Sequence, residues 1–218
     1  MSRLHCFVAP AGEIAARFGA VYPQDLVVPE QTVEGLLGLA MFEADGQRLL
    51  RAMRWGFPRR ARGGRLPDDG PDRIGLVADL TNPMWEHLVV EPRYRCIIPI
   101  THFANPDGDP GAKTRTWFSV KGQPIAAWAG FCRNTEEFGP AYAGMTMDAN
   151  AAMMPTNDRM PVLLEPHEVE RWLHGSIEDV IGFQFRPPFA AERMIVEQTN
   201  DRWRGEGLPS AASQTALL

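Results

Sequence analysis

Glycine and proline constrain the fold of this 218-residue chain more than any other feature of its sequence. The 20 glycines and 19 prolines divide it into apolar stretches that are too short for a helical bundle, because both residues weaken or end a regular helix. Hydrophobic residues make up 44% of the chain, which is near the average of globular domains and suffices for a buried core. The sequence therefore predicts many short elements around one core.

Most of the stretches between these residues have the composition of β-strands. They are short, rich in β-branched and aromatic residues, and bounded by Gly, Pro or Asp. The predicted strands lie at residues 48–55, 95–100, 116–120, 124–131, 141–147 and 192–197. We therefore predict that short strands make up most of the regular structure.

Three other segments have helical spacing. Residues 10–19 carry apolar side chains on one face and end at Gly19, residues 83–90 begin with a proline, and residues 166–175 end at Gly175. Proline is favourable in the first turn of a helix, and glycine is common just beyond the last turn. We therefore predict three short helices among the strands.

The chain contains no internal repeat and no linker long enough to divide it. We predict an α+β protein with one domain over residues 1–204, built mostly from short strands with a few short peripheral helices. Residues 205–218 lack hydrophobic periodicity and are predicted to form a flexible C-terminal tail.

The cysteines and the charge limit the functional classes. Cys6, Cys96 and Cys132 are widely spaced and form no metal-ligand motif, so we expect reduced thiols, no metal and no other cofactor. There is no secretory signal and no apolar run of membrane-spanning length, so a cytoplasmic location and no membrane partner are expected. A net charge of -5 argues against a protein that coats duplex DNA.

Four motifs carry a resemblance to a known family. They are RWGFP at 54–58, RCIIPITHF at 95–103, AAWAGF at 126–131 and NDRMPVLL at 157–164. In this order and spacing, the chain resembles the SOS-response-associated peptidase (SRAP) family of abasic-DNA-binding proteins. The resemblance implies an α+β fold whose antiparallel, barrel-like sheets form a groove for single-stranded DNA.

The retained motifs also imply a shared core. We expect their largest apolar residues to be mostly buried, since the same side chains would pack the same fold. This set contains Trp55, Phe103, Phe131, Met160 and Pro161.

The resemblance implies a catalytic centre that this chain lacks. In the family, removal of Met exposes a cysteine whose α-amine condenses with the aldehyde of an abasic site, and its thiol closes a thiazolidine ring. That cysteine falls on Ser2, the family's Glu on Asn105, and its His on Asn157. Asparagine does not transfer protons at neutral pH. We therefore expect the three positions to converge in one cleft without thiazolidine crosslinking or autopeptidase activity.

The resemblance further implies positions that contact the DNA. The family's Asn-x-Arg segment, which holds the sugar-phosphate, falls on Leu76 and Ala78, and its N-terminal arginine falls on Leu4. Thr146 and Arg159 match further contact positions. Only Arg159 among these residues carries a charge that would attract a phosphate.

An arginine-rich segment offers a second indication of nucleic-acid binding. Residues 51–65 contain six arginines and no acidic residue, and Trp55 and Phe57 lie among them. Arginines with interleaved aromatic residues suit single strands, because phosphates pair with guanidinium groups and bases stack on rings. The candidate contacts are Arg54, Trp55, Arg59 and Arg60. A solvated loop neutralised by nearby aspartates is the alternative.

Three functions therefore remain open from the sequence. The first is binding of single-stranded, abasic DNA in the DNA damage response without catalysis. The second is an active enzyme that uses the N-terminal amine on abasic DNA or on a peptide bond. The third is a protein-interaction module, with an unknown partner, that reuses the groove.

Overall fold

The computed structural model describes residues 4–27, 29–59 and 72–210. Fifteen strands and four α-helices occur in these ranges, together with four single-turn 3₁₀ helices. The strands are β1 (Leu4–Cys6), β2 (Gln31–Val33), β3 (Leu37–Ala44), β4 (Gln47–Trp55), β5 (Phe57–Arg59), β6 (Asp72–Ile74), β7 (Leu76–Val77), β8 (Arg95–Ile100), β9 (His102–Asp107), β10 (Thr114–Val120), β11 (Ala126–Thr135), β12 (Gly139–Asp148), β13 (Arg159–Pro161), β14 (Leu163–Leu164) and β15 (Met194–Arg202). The helices are α1 (Ala11–Phe18), α2 (Glu86–Val90), α3 (Val169–His174) and α4 (Ile177–Phe185).

Five strands close into a ring. Strands β12, β4, β3, β8 and β11 pair in that order, and β11 pairs with β12 to complete the circle. All of these pairings are antiparallel except the short one between β4 and β12. The ring agrees with the predicted α+β class and its barrel-like sheets.

A second, five-stranded sheet packs on this ring. Its strand order is β15-β10-β9-β1-β2, and every neighbouring pair is antiparallel. Phe103 of β9 and Phe118 of β10 stack with 5.5 Å between the centroids of their side chains. Both belong to the same hydrophobic core as the residues of the five-stranded ring. One continuous core therefore joins the two sheets.

Local sequence explains where the helices begin and end. Helix α1 buries Ile14 and Phe18, and Gly19 ends it with a positive φ of 63°, which glycine adopts without strain. Helix α4, which we did not predict from the sequence, begins at a capping box formed by Ser176 and Asp179. The longer strands β3 and β9 were also missed, as were seven strands of two or three residues: β1, β2, β5, β6, β7, β13 and β14. The other predicted helices and strands are present with bounds shifted by a few residues.

The predicted core residues are buried. Trp55, Phe103, Phe131 and Met160 are each at most 1% exposed, and Pro161 is buried with them. Their burial confirms the packing expectation. No helix in the described ranges is long and apolar enough to cross a membrane.

The outer face of the five-stranded sheet is covered by the segment that follows β15. Buried Arg115 of β10 donates to the carbonyl oxygens of Gly205 and Gly207, and Trp203 and Leu208 pack beside Trp117. The predicted boundary at residue 205 stays a prediction, since residues 211–218 lie outside the described ranges.

A buried histidine connects the two sheets. His5 of β1 is fully buried and shares a hydrogen bond of 2.9 Å between its Nε2 and the hydroxyl of Tyr142 on β12. Its ring also contacts Trp55, with 4.8 Å between centroids. Burial lowers the pKa of His5 from 6.5 to about 3, because the apolar surroundings disfavour the charged ring.

This histidine predicts a loss of stability in acid. Below pH 6.5 the unfolded chain binds a proton that folded His5 does not bind until about pH 3, so stability falls as the pH is lowered through this window. We expect His5→Gln to flatten the pH dependence of the free energy of unfolding between pH 6 and 4 by about 1.4 kcal/mol per pH unit. The measurement is urea denaturation at several pH values. His167→Gln, at an exposed position, is the control, and parallel curves for wild type and His5→Gln would contradict the prediction.

Candidate functional site

The candidate site begins on β9. Asn105 lies near the end of this strand and pairs with Thr116 of β10, while its neighbour Ala104 pairs with Leu4 of β1. The described chain therefore begins beside Asn105. Ser2 lies outside the described residues, so its predicted convergence with the two asparagines stays a prediction.

The structure brings Asn105 and Asn157 together although 52 residues separate them in sequence. Asn157 Nδ2 donates to Asn105 Oδ1 at 3.3 Å, and Asn105 Nδ2 donates to Thr156 Oγ1 at 3.0 Å. Asn105 is fully buried, so both ends of its amide are satisfied inside the protein. The turn that follows β12 supplies Thr156 and Asn157.

Hydrogen bonds continue from Asn157 to further predicted residues. The backbone N–H of Arg159 donates to Asn157 Oδ1 at 3.1 Å. The Arg159 guanidinium donates to the carbonyl oxygens of Thr146 at 2.7 Å and Ala78 at 3.0 Å. Asn105, Asn157, Arg159, Thr146 and Ala78 thus form one connected network along the edge of β12 and β13. We call it the asparagine network.

Two carboxylates lie near the Arg159 guanidinium group of this network. Arg159 Nη1 lies 2.6 Å from Asp148 Oδ1, and the Asp148 side chain is 91% exposed. Asp79 is also near: hydrogen bonds from Thr81 lower its pKa, and the charge of Arg159 adds to that effect. A bound phosphate would have to compete with these carboxylates for the guanidinium group.

The remaining predicted residues occupy different positions. Half-buried Leu76 of β7 pairs with Gly144 of β12, the strand that also carries Thr146 of the network. Arg54 donates from Nη1 to the carbonyl of Gly35 at 2.6 Å, and Arg59 is exposed at the end of β5. Arg60 lies outside the described residues.

The interpretation of Trp55 and Phe57 as base-stacking rings needs correction. Each is only 1% exposed. Trp55 stacks on Tyr142 with an angle of 3° between the rings, and its Nε1 donates to the Gly75 carbonyl at 2.7 Å. The Trp55 ring is therefore enclosed within the core, and a base could reach it only if the core opened.

Sequence reasoning missed Thr156 and Asp148. Neither belongs to a motif with a chemical role, so no local signal marked them. Burial of Asn105 could have indicated Thr156, because a buried amide requires partners. Its identity depends on the tertiary contact between β9 and the turn after β12.

One group elsewhere has the ligand types of a metal site. Oxygen and nitrogen atoms of Glu43, Glu170 and His174 lie within 4.8 Å of one another. Arg48 forms ion pairs with both glutamates, with 2.9 Å between its Nε and Glu43 Oε1. This guanidinium already supplies positive charge to the carboxylates, so the group is adequately explained as a surface ion-pair cluster.

Several solved structures have a similar fold, in which a closed ring of strands packs on a second, antiparallel sheet. The fold is similar to a protein from Bordetella bronchiseptica, with a TM-score of 0.74 and 18% identity over 90% of this chain and 99% of that one. It is similar to a protein from Bacteroides thetaiotaomicron, with a TM-score of 0.72 and 19% identity over 89% and 90% of the two chains. A phage-related protein from Bordetella bronchiseptica has a TM-score of 0.66 and 16% identity over 91% and 94%.

The sequence assigns the chain within this class. Residues 8–194 match the SOS response associated peptidase (SRAP) family. The chain therefore belongs to that family, as the four motifs predicted. No curated protein matches the sequence significantly.

Proposed function

We propose that this protein binds single-stranded DNA, including abasic DNA, as a member of the SRAP family that has lost crosslinking and autopeptidase chemistry. The observation that carries the proposal is the contact between Asn105 and Asn157. These side chains occupy the positions that the family resemblance gives to a proton-transferring Glu and His. Two amides satisfied by each other and by Thr156 offer neither an acid nor a base near neutral pH.

DNA binding is supported by two arginines with access to solvent. Arg159 lies at the surface end of the asparagine network, and Arg59 is exposed on β5. In the sequence, Arg59 is also the first of four arginines within residues 59–65. Guanidinium groups in such positions can pair with successive phosphates of a flexible strand.

The test of DNA binding is its dependence on salt. We expect Arg54→Gln, Arg59→Gln and Arg60→Gln together to weaken binding of a fluorescent oligonucleotide. The slope of log affinity against log salt should become less steep by about 0.7 for each phosphate that the variant no longer neutralises. Fluorescence anisotropy at several salt concentrations measures both quantities.

A matched variant separates local contacts from total charge. Arg17→Gln, Lys121→Gln and Arg171→Gln together remove the same charge from exposed positions on α1, the turn before β11 and α3. This control should keep the wild-type slope. Absence of wild-type binding even at low salt would contradict DNA binding and favour the protein-interaction module.

A further inference from the structure

One end of the five-stranded ring contains a pocket of about 480 Å³. It touches every strand of the ring or the turn that leads into it, through Phe42 of β3, Met53 of β4, Cys132 of β11, Pro140 of β12 and Tyr94 just before β8. We call this the barrel-end pocket. Mouths of β-barrels are frequent ligand sites, and this volume falls within the range of roughly 300–1,000 Å³ that is typical of such sites.

The floor of the pocket is apolar. Met53 is 6% exposed and Cys132 is 4% exposed, and Phe42 is partly buried beside them. Aromatic side chains fill the interior of the five-stranded ring next to this apolar floor. Trp55 and Trp128 meet edge to face with 5.9 Å between centroids, although β12 lies between their strands, so both rings lie inside the barrel.

The rim of the pocket is cationic. Arg51, Arg93 and Arg133 line it, and no carboxylate is among the described residues that do so. Arg51 donates from Nη1 to the carbonyl oxygens of Leu50 at 3.0 Å and Val21 at 3.4 Å, and its guanidinium has no ion pair within the described part of the chain. Most of its donors are therefore available to a ligand.

The other two arginines differ in their partners. Arg93 Nε lies 3.5 Å from Glu91 Oε2 in an exposed ion pair, which is weak in water. Arg133 lies over the ring of Phe57 at 5.2 Å, and its Nε is buried without a hydrogen-bond partner in the described structure.

We propose that the barrel-end pocket binds a small amphipathic anion, with an apolar carbon body and one carboxylate, sulfonate or phosphate group. The body packs on Phe42, Met53 and Tyr94. The anionic group pairs with the guanidinium groups at the rim, whose planar donors match two oxygens of such a group.

This inference is independent of the proposed DNA binding. Tyr142 pairs with Cys132 at the pocket floor, and its hydroxyl reaches His5 on the other sheet. A layer of buried aromatic rings therefore lies between the pocket and the sheet that carries Asn105. Either proposal can fail while the other holds.

Isothermal titration with naphthalene-1-sulfonate tests the proposal, with 1-naphthalenemethanol as the uncharged comparison. We expect one bound sulfonate per protein and at least tenfold weaker binding of the alcohol. Arg51→Gln with Arg133→Gln should weaken sulfonate binding at least tenfold. Lys113→Gln with Arg204→Gln removes the same charge from exposed positions at another cleft and should leave it unchanged.

Additional measurements distinguish a loss of folding from a loss of binding. Circular dichroism verifies that each variant is folded. If the double variant is not, Arg93→Gln replaces it, because that side chain is 69% exposed and its loss leaves the core intact; at least threefold weaker binding is then expected. Equal binding of sulfonate and alcohol, equal loss in the control variant, or displacement of the sulfonate by a single-stranded oligonucleotide would each overturn the proposal.

Discussion

Wild-type protein incubated with an abasic single strand and then heated should release the strand completely. The position that the family resemblance gives to the reacting cysteine is Ser2, which has no thiol, and the first cysteine of the sequence is Cys6. Burial also raises the pKa of the Cys6 thiol to about 12, so this cysteine is a poor nucleophile at neutral pH. The measurement is retention of a labelled abasic oligonucleotide on a denaturing gel, with sodium borohydride trapping to detect imines.

Restoring the cysteine alone should change this result little. Ser2→Cys returns the thiol, but Asn105 and Asn157 still cannot transfer protons. Positioned acids and bases typically contribute about 10²–10⁴-fold to a rate. Ser2→Cys, Asn105→Glu and Asn157→His together should therefore form the adduct faster than the product of the separate effects predicts, since such groups act as a unit.

The control for this experiment is Asn105→Glu with Asn157→His on the Ser2 background, which restores the proton-transferring groups without the thiol. It should form no heat-stable adduct. A heat-stable crosslink from the wild-type protein would show that the chain is an active enzyme, and the proposed loss of chemistry would be wrong.

Truncation of a motif phenylalanine should cause the largest loss of stability. Phe131 of β11 is fully buried and meets Trp172 of α3 with 5.3 Å between ring centroids. Phe131→Ala would leave a cavity between the five-stranded ring and α3. We expect the free energy of unfolding to fall by about 3–5 kcal/mol, measured by urea denaturation.

A second phenylalanine provides the matched control. Phe185 at the end of α4 is 65% exposed, so Phe185→Ala removes the same side chain with little change in burial. It should cost well under 1 kcal/mol, as most exposed substitutions do. Similar costs for the two variants would contradict the assignment of Phe131 to the core.

The sequence alone determined the fold class and the family. Motif residues such as Phe103 and Met160 pack the core, and their order and spacing identify the fold because each lies at a fixed place in it. Strand β8 was predictable because its residues from Cys96 to Ile100 are apolar and turn-forming residues lie before it. Helix α4 was missed because five of its nine residues are β-branched or aromatic and a sixth is Gly182, all types with weak helix preference, and because its start depends on one capping box.

Only the tertiary structure decided how the candidate site is connected. Asn105 and Asn157 were chosen from separate motifs, and no local pattern could show that their amides satisfy each other or that Thr156 joins them. Trp55 is the converse case. Its position among arginines is typical of a base-stacking residue, yet pairing of β4 with β12 places it against Tyr142 inside the ring. Which side of a strand becomes the interior depends on sheet closure, and closure depends on contacts between residues that are distant in sequence.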